Sequence, residues 1–223
     1  MQTALVSWSG GKDSCFAAHQ AMQQGLQPKV LLNVLNEAGQ ISRSHGIPSS
    51  ILQAQAAAMG LPIHMIAASW QEYEQHFTNA LSQLKQQHAL THAIFGDIDL
   101  DAHKEWEEKV CNNAGLTAVL PIWHRNRKEL VLEMLQWGLE TIIVSCNEVM
   151  GPSFLGRTLT TDMIAELEAL GVDACGENGE YHTLVKNCPL FNHPLKVTTS
   201  NPVQHSNYWF TTLKLSEPGF GEI

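Results

Sequence analysis

Two short stretches of this chain carry side chains that could do chemistry. The first, Ser9-Gly10-Gly11-Lys12-Asp13-Ser14, joins the apolar run from Thr3 to Trp8 to a helical pattern that begins near Lys12. Two glycines let the backbone turn tightly and bring N–H groups close to an anion. The open N–H groups and the positive dipole end of the following helix face the same place. Lys12 adds a mobile charge, so the stretch reads as a phosphate cradle; the plain alternative is a capped turn between strand and helix. It is not a Walker loop, because the residue five before Gly11 is Val6 and the residue after Lys12 is Asp13. The second stretch, Gly176-Glu177-Asn178-Gly179-Glu180-Tyr181-His182-Thr183, sets two carboxylates, an amide, a phenol and an imidazole between glycines. Spacing alone allows a solvated hairpin turn followed by a strand, since Asn-Gly is a common turn. Several chemistries on one loop favour handling of a substrate or of ammonia.

The elements that must hold these stretches follow from periodicity. Lys12 to Gln24 predicts a helix ended by Gly25, and Lys29 to Leu35 a buried strand. Pro48 to Met59 is helical before Gly60, Ile63 to Ala67 a strand, and Gln71 to His88 a long helix. His92 to Asp97 is a strand ending in a Gly-Asp turn, Asp101 to Ala114 a helix before Gly115, and Leu116 to Trp123 a fifth strand. Strands alternating with helices through short connections imply right-handed crossovers and a parallel sheet covered on both faces. Ligands of such sheets bind at the carboxyl ends of the strands, which places Asn36 and Gly96-Asp97 beside the first loop. Beyond Arg125 the rhythm changes: helix from Lys128 to Trp137, strand from Glu140 to Ser145, helix from Thr161 to Leu170, then an acid- and Gly-rich loop and a β-type run from Tyr208 to Leu213. We therefore expect one domain over residues 1–125 and a second, tightly packed one over 126–223.

Composition narrows the class. With 223 residues, 44% of them hydrophobic, the chain can bury a substantial core. A net charge of −9 with only 13 Lys plus Arg disfavours a broad nucleic-acid footprint. Five widely spaced cysteines without a Cys-x-x-Cys pair fit a reducing cytoplasm. The first apolar run ends at the glycine loop, which reads as a strand and not a signal peptide, and no stretch has the ~18 apolar residues of a membrane span.

Ser-Gly-Gly-Lys-Asp-Ser resembles the PP-loop of the ATP pyrophosphatase superfamily, enzymes that split ATP between the α and β phosphates. Gly96-Asp97-Ile98, the Glu108-x-x-Cys111 helix, Leu120-Pro121-Ile122-Trp123 and the Gly-Glu-Asn-Gly-Glu-Tyr-His-Thr stretch follow in the order of the diphthine–ammonia ligase family, which the chain resembles from Met1 to about Phe191. The resemblance implies a Rossmann-like sheet of the adenine-nucleotide α-hydrolase type with a smaller C-terminal accessory domain. It also implies ATP with Mg²⁺, a small-molecule or protein-borne carboxylate, and ammonia, joined through an acyl-adenylate with release of AMP and pyrophosphate. On that reading Ser9, Gly10, Gly11, Lys12, Asp13 and Ser14 hold the phosphates, with Asp13 on Mg²⁺ and His45, Gly96 and Asp97 bordering ATP. Lys12, Asp13, Glu177 and Glu180 are the expected catalytic residues, the two glutamates binding ammonium or taking its proton. Asn178, Tyr181, His182 and Thr183 would orient the acceptor. A homo-oligomer is compatible with all of this.

One segment departs from the family pattern. Members that make diphthamide carry a Tyr-Gln-Arg-x-Arg-like run after the Gly-Asp turn, whereas this chain has Ala102-His103-Lys104-Glu105-Trp106, as a bacterial branch does. A corrinoid-related acid in cobalamin salvage is therefore an alternative acceptor. A PP-loop enzyme that adenylates tRNA and a non-catalytic ATP sensor are further rivals, although the former would want basic charge and paired cysteines. Asp97-x-Asp99-x-Asp101 imitates a calcium loop but has Ala102 where the turn needs Gly and a strand in place of the leading helix. The eleven histidines hold no His-Glu-x-x-His. Cys15, on the first helical turn, reads as a buried packing residue before an activated thiol.

Overall fold

The computed structural model describes residues 2–216. Its larger layer is a five-stranded sheet in the order β3-β2-β1-β4-β5, parallel throughout, built from β1 (Gln2–Ser7), β2 (Leu26–Leu35), β3 (Ile63–Ala67), β4 (His92–Ile94) and β5 (Thr117–Val119). The connecting helices are α1 (Lys12–Gln23), α2 (Ser49–Met59), α3 (Tyr73–His88) and α4 (Asp101–Ala114). This is the α/β architecture that the alternating pattern predicts. Period-two placement divides each strand between two cores. Ala4, Val6 and Trp8 pack on one face of the sheet with α1 and α2, while Leu5 joins Val30, Leu32, Phe77 and Val110 on the face covered by α3 and α4. The fifth strand is shorter than its sequence suggests. Pro121 has no N–H to give a neighbouring strand, and the chain turns after Leu120.

Beyond it come α5 (Arg127–Gln136), β6 (Glu140–Asn147), α6 (Thr161–Ala169), β7 (Tyr181–Asn187), β8 (Val197–His205) and β9 (Tyr208–Leu215). These strands form an antiparallel sheet in the order β7-β6-β9-β8. It shares one continuous core with the first face of the parallel sheet, through α1. Ala17, Ala18 and Ala21 let α1 lie close between the layers, and Phe16, wholly buried, contributes roughly 1.5–3 kcal/mol of apolar burial. No helix among the described residues is long and apolar enough to cross a membrane.

In a sheet ordered 3-2-1-4-5 the chain leaves β1 toward one edge and β4 lies on its other side, so a crevice opens at their carboxyl ends. The phosphate loop follows β1, and Gly96 follows β4. A Cβ on Gly96 would stand 2.7 Å from the Ser14 amide nitrogen, so only glycine lets the two strand ends come together.

Candidate active site

A cavity of about 970 Å³ opens at this crevice. From the N-terminal part it is lined by Ser9, Lys12, Asp13, Ser14, His45, Gly96 and Asp97, from the loop before β7 by Glu177 and Asn178, and from the start of β7 by Tyr181, His182 and Thr183. The two stretches that sequence marks as chemical thus face one space. A third wall comes from the segment before α3, from α3 itself and from α4: Trp70, Tyr73 and Glu107 were not anticipated, whereas His103 and Trp106 lie in the Ala102–Trp106 segment that the sequence marks as a departure.

The phosphate loop is held by its own hydroxyls and by the second sheet. Ser14 Oγ accepts from the Ser9 amide at 3.2 Å and lies 3.0 Å from Ser9 Oγ, and Ser9 Oγ accepts from the Gly11 amide at 3.2 Å. The Lys12 amide donates to Thr183 Oγ1 at 3.0 Å, and the Val185 amide donates to the Gly10 carbonyl at 3.0 Å. Gln55, fully buried on α2, donates from Nε2 to the Gly10 carbonyl (3.0 Å) and the Val185 carbonyl (2.8 Å), and its Oε1 accepts from Trp8 Nε1 (2.9 Å). Gly10 has φ of +85°, and a Cβ there would meet Gln55, Ile47 and Leu52 at 2.9 Å each. Neither Gln55 nor the β7 contacts could be read from the loop motif.

Lys12 Nζ pairs with Asp13 Oδ2 at 2.8 Å and lies 5.4 Å from the centre of the Tyr181 ring. Burial opposes the lysine charge, but Asp13, together with Tyr181, Cys175 and Glu177 behind it, outweighs it and holds the ammonium above its usual range. Asp13 Oδ1 is buried and meets no donor among the described residues. An oxygen of that kind fits a magnesium ion that keeps waters and phosphate oxygens as its other ligands. No group of three or more His, Cys, Asp and Glu side chains among the described residues could hold a metal by itself. His45 and His182 pack with ring centres 4.5 Å apart and their planes tilted by 41°. Burial, then the Lys12 charge, push His182 down to about 4, and burial lowers His45 as well, so both imidazoles are neutral at neutral pH.

The loop before β7 is braced from three sides. Glu180 Oε2 accepts from the Asn178 amide at 2.9 Å, and Oε1 accepts from Asn178 Nδ2 at 3.0 Å and from the Asp173 amide at 3.3 Å. Arg127 clamps Asp99 through two 2.7 Å bonds and reaches Asp173 and Asn178 at 3.1 Å. Tyr208 on β9 donates to the Gly179 carbonyl at 2.7 Å. Glu180 therefore points into its own loop and does not line the cavity, contrary to the expectation that it meets ammonia. The Tyr181 hydroxyl is likewise engaged, donating to the Ala174 carbonyl at 2.6 Å. Glu177 does face the cavity, and burial, with Asp13 and Asp97 nearby, pushes its carboxyl up to about 8. Asp99, from the apparent calcium loop, is occupied by Arg127.

A smaller hollow of about 100 Å³ adjoins Ser9, between Trp8, Asn33, Arg43, Trp70 and Tyr73. Asn33 Nδ2 donates to the Trp8 carbonyl at 2.7 Å, while its Oδ1 is buried without a donor.

Comparison with known proteins gives a consistent result. Residues 1–118 match the diphthamide synthase N-terminal domain, and residues 126–217 match the diphthamide synthase C-terminal domain. Proteins of Mus musculus and Homo sapiens, each named diphthine–ammonia ligase, are 29% identical over 229 residues, covering 91% of this chain and 85% of their own length. A solved structure titled as a predicted subunit of tRNA methyltransferase from Methanocaldococcus jannaschii aligns with a TM-score of 0.45 and 16% identity, over 84% of this chain and 98% of its own; a likeness at that level carries no argument.

Proposed function

The chain belongs to the diphthamide synthase family, its reaction is the ATP-dependent joining of ammonia to a carboxylate, and we propose how this cavity carries that reaction out. A carboxylate is a poor electrophile. Its oxygen attacks the α-phosphorus of ATP, the bond to the β-phosphate oxygen breaks, and pyrophosphate leaves from the Ser9 to Ser14 cradle. Ammonia then attacks the acyl carbon, AMP departs with the electron pair of the C–O bond, and the nitrogen sheds a proton. Lys12, His45 and His182 stabilise the phosphates. Asp13 would hold Mg²⁺, which supplies charge neutralisation on the phosphate oxygens. Glu177, with a proton affinity near neutrality, takes the proton from nitrogen. Asn33 Oδ1 suits the amino group of the base, with Gly96 and Asp97 at the border of the nucleotide. The observation that carries this reading is the convergence of both motifs on one cavity, with Thr183 seated on the Lys12 amide.

We assign residues 1–125 to nucleotide binding and 126–223 to presentation of the acceptor loop, with the qualification that β7 lends Thr183 and Val185 to the phosphate cradle. Glu180 becomes a positioning residue. The segment from Ala102 to Trp106 supports placement in a bacterial branch, and its His103 and Trp106 face the cavity where an acceptor would lie. Diphthine, named in the relatives, is the first acceptor to test, and a corrinoid-related acid is the second. We place the reaction in the cytoplasm. The test is a chromatographic assay of nucleotide products with ammonium and each acid. AMP and pyrophosphate are expected; ADP and orthophosphate as sole products would refute the mechanism.

A further inference from the structure

On α4, His103 and Glu107 stand one turn apart and both meet Asp97, which follows β4. His103 Nδ1 lies 2.6 Å from Asp97 Oδ1, and Glu107, which lines the same cavity, sits close enough to Asp97 for each carboxyl to feel the other. Glu107 is only 3% exposed although it lines the cavity, and its Oε2 is buried beyond the reach of any donor among the described residues. Two carboxyls this close cannot both carry charge unless something positive lies between them. Burial, and then Asp97, push Glu107 up to about 11, so a proton holds the pair together. His103, held above the usual imidazole range by its bond to Asp97, balances that carboxylate from one side, and the other neighbouring cations are engaged elsewhere: Lys12 with Asp13, Lys109 with Glu74 at 2.6 Å, Lys104 with Glu108 at 3.9 Å, and Arg127 with Asp99.

We propose that Asp97 and Glu107 form the seat of the ammonium ion that supplies the amide nitrogen, with His103 as the positioning residue that fixes the Asp97 carboxylate. The proposal rests on the ligase reading. Free ammonia is scarce in neutral water, so the enzyme must collect its substrate as the cation. Ammonium has four N–H donors in tetrahedral array, and here it replaces the shared proton, giving Glu107 Oε2 the donor it lacks and using the Asp97 oxygen that His103 leaves open; it then returns one proton to the Asp97–Glu107 pair and leaves as ammonia, its lone pair free to attack the acyl carbon. The seat lies beside the nucleotide site, because Gly96, the residue before Asp97, packs directly on the Asp13 and Ser14 backbone.

Hydroxylamine separates the seat from the chemistry. It is an uncharged nucleophile at neutral pH and needs no cation site. Glu107→Gln keeps the size of the side chain and its place beside Asp97 but cannot become a carboxylate. Its KM for ammonium should rise about tenfold or more, while the KM for ATP and the hydroxylamine-supported rate stay within about twofold of wild type. Asp97→Asn should raise the ammonium KM as well, with its own loss of ATP affinity because Asp97 borders the nucleotide, and His103→Gln should give a smaller rise in ammonium KM. An unchanged ammonium KM in both carboxyl variants, or equal losses with both nucleophiles, overturns the proposal. A second measurement needs no turnover. Thallium(I), a monovalent cation of similar size, soaked into ammonium-free crystals should give an anomalous peak between Asp97 and Glu107 that ammonium displaces and Glu107→Gln abolishes. Absence of that peak in the wild type also overturns the seat. A wild type that binds thallium there yet forms no amide from any acid would instead count against the ligase reading.

Discussion

Gln55→Leu should do more harm than any other single change of similar size in the core. Leucine fills nearly the same volume and is helix-compatible, so neither a cavity nor propensity explains the loss. What disappears is the polar junction: the Gly10 and Val185 carbonyls lose the amide that serves both, and Trp8 Nε1 loses its acceptor. Each buried group left unpaired costs about 1–3 kcal/mol. Gly10 keeps its bond from the Val185 amide and the added apolar surface returns part of the loss, so we expect about 3–5 kcal/mol overall. Against a total stability of about 5–15 kcal/mol that is a large share. Urea denaturation, with a slope of about 2–3 kcal/mol per molar, should show the midpoint falling by about 1 M or more. ATP affinity measured by calorimetry below the transition should also drop, because the carbonyl of Gly10 orients the loop. A midpoint shift under about 0.3 M with normal ATP binding would refute the claim that this junction holds the cradle.

Other consequences can be checked independently. Glu180→Gln turns an amide N–H₂ toward the donors of Asn178 or Asp173, so stability should fall by about 1–3 kcal/mol with a modest loss of turnover; a stable protein with turnover reduced a thousandfold would return Glu180 to the reacting groups. Lys12→Met keeps an unbranched stem over the Tyr181 ring but removes the charge, and amide formation should fall at least about 100-fold in a steady-state assay; near-wild-type rates would exclude Lys12 from phosphate stabilisation. Glu177 is raised in the folded state from 4.5 to about 8, so the folded chain binds a proton that the unfolded chain has lost. Wild-type stability should therefore fall relative to Glu177→Gln as pH rises from about 5 to 8 and level off above, in paired denaturation curves. A difference that stays flat or grows in favour of the wild type would contradict that sign.

The parallel sheet was legible because glycines end its helices where the apolar runs resume, at Gly25, Gly60 and Gly115. Strand β7 was legible only as the plain alternative of a turn followed by a strand, since the buried pattern of Tyr181 to Val185 gains its meaning once β6 and the Ser9–Ser14 loop supply partners. Local spacing marked the residue types at Glu177 and Glu180 but not their directions: one carboxylate faces the cavity and the next, three residues on, turns beneath the loop. Glu107 was missed because Glu105, Glu107 and Glu108 together read as a solvated helix face, and only its one-turn offset from His103 hints at a shared orientation. Gln55 sits in a helix of alanines and glutamines where nothing in the sequence separates it from exposed Gln53. Arg127 follows the same logic, since its partners come from two distant segments, Asp99 after β4 and Asp173 and Asn178 in the loop before β7.

The bond from the Lys12 amide to Thr183 spans 171 residues, and the one from Val185 to Gly10 is longer still. On the ribosome, where chains grow at about 5–20 residues per second, roughly 10–30 s separate the appearance of the phosphate loop from that of its last supports. The nascent chain thus carries the Ser9–Ser14 loop without its far wall for most of its synthesis. On the proposed reading, a product that ends before β7 would lack the Thr183 and Val185 supports of its nucleotide cradle.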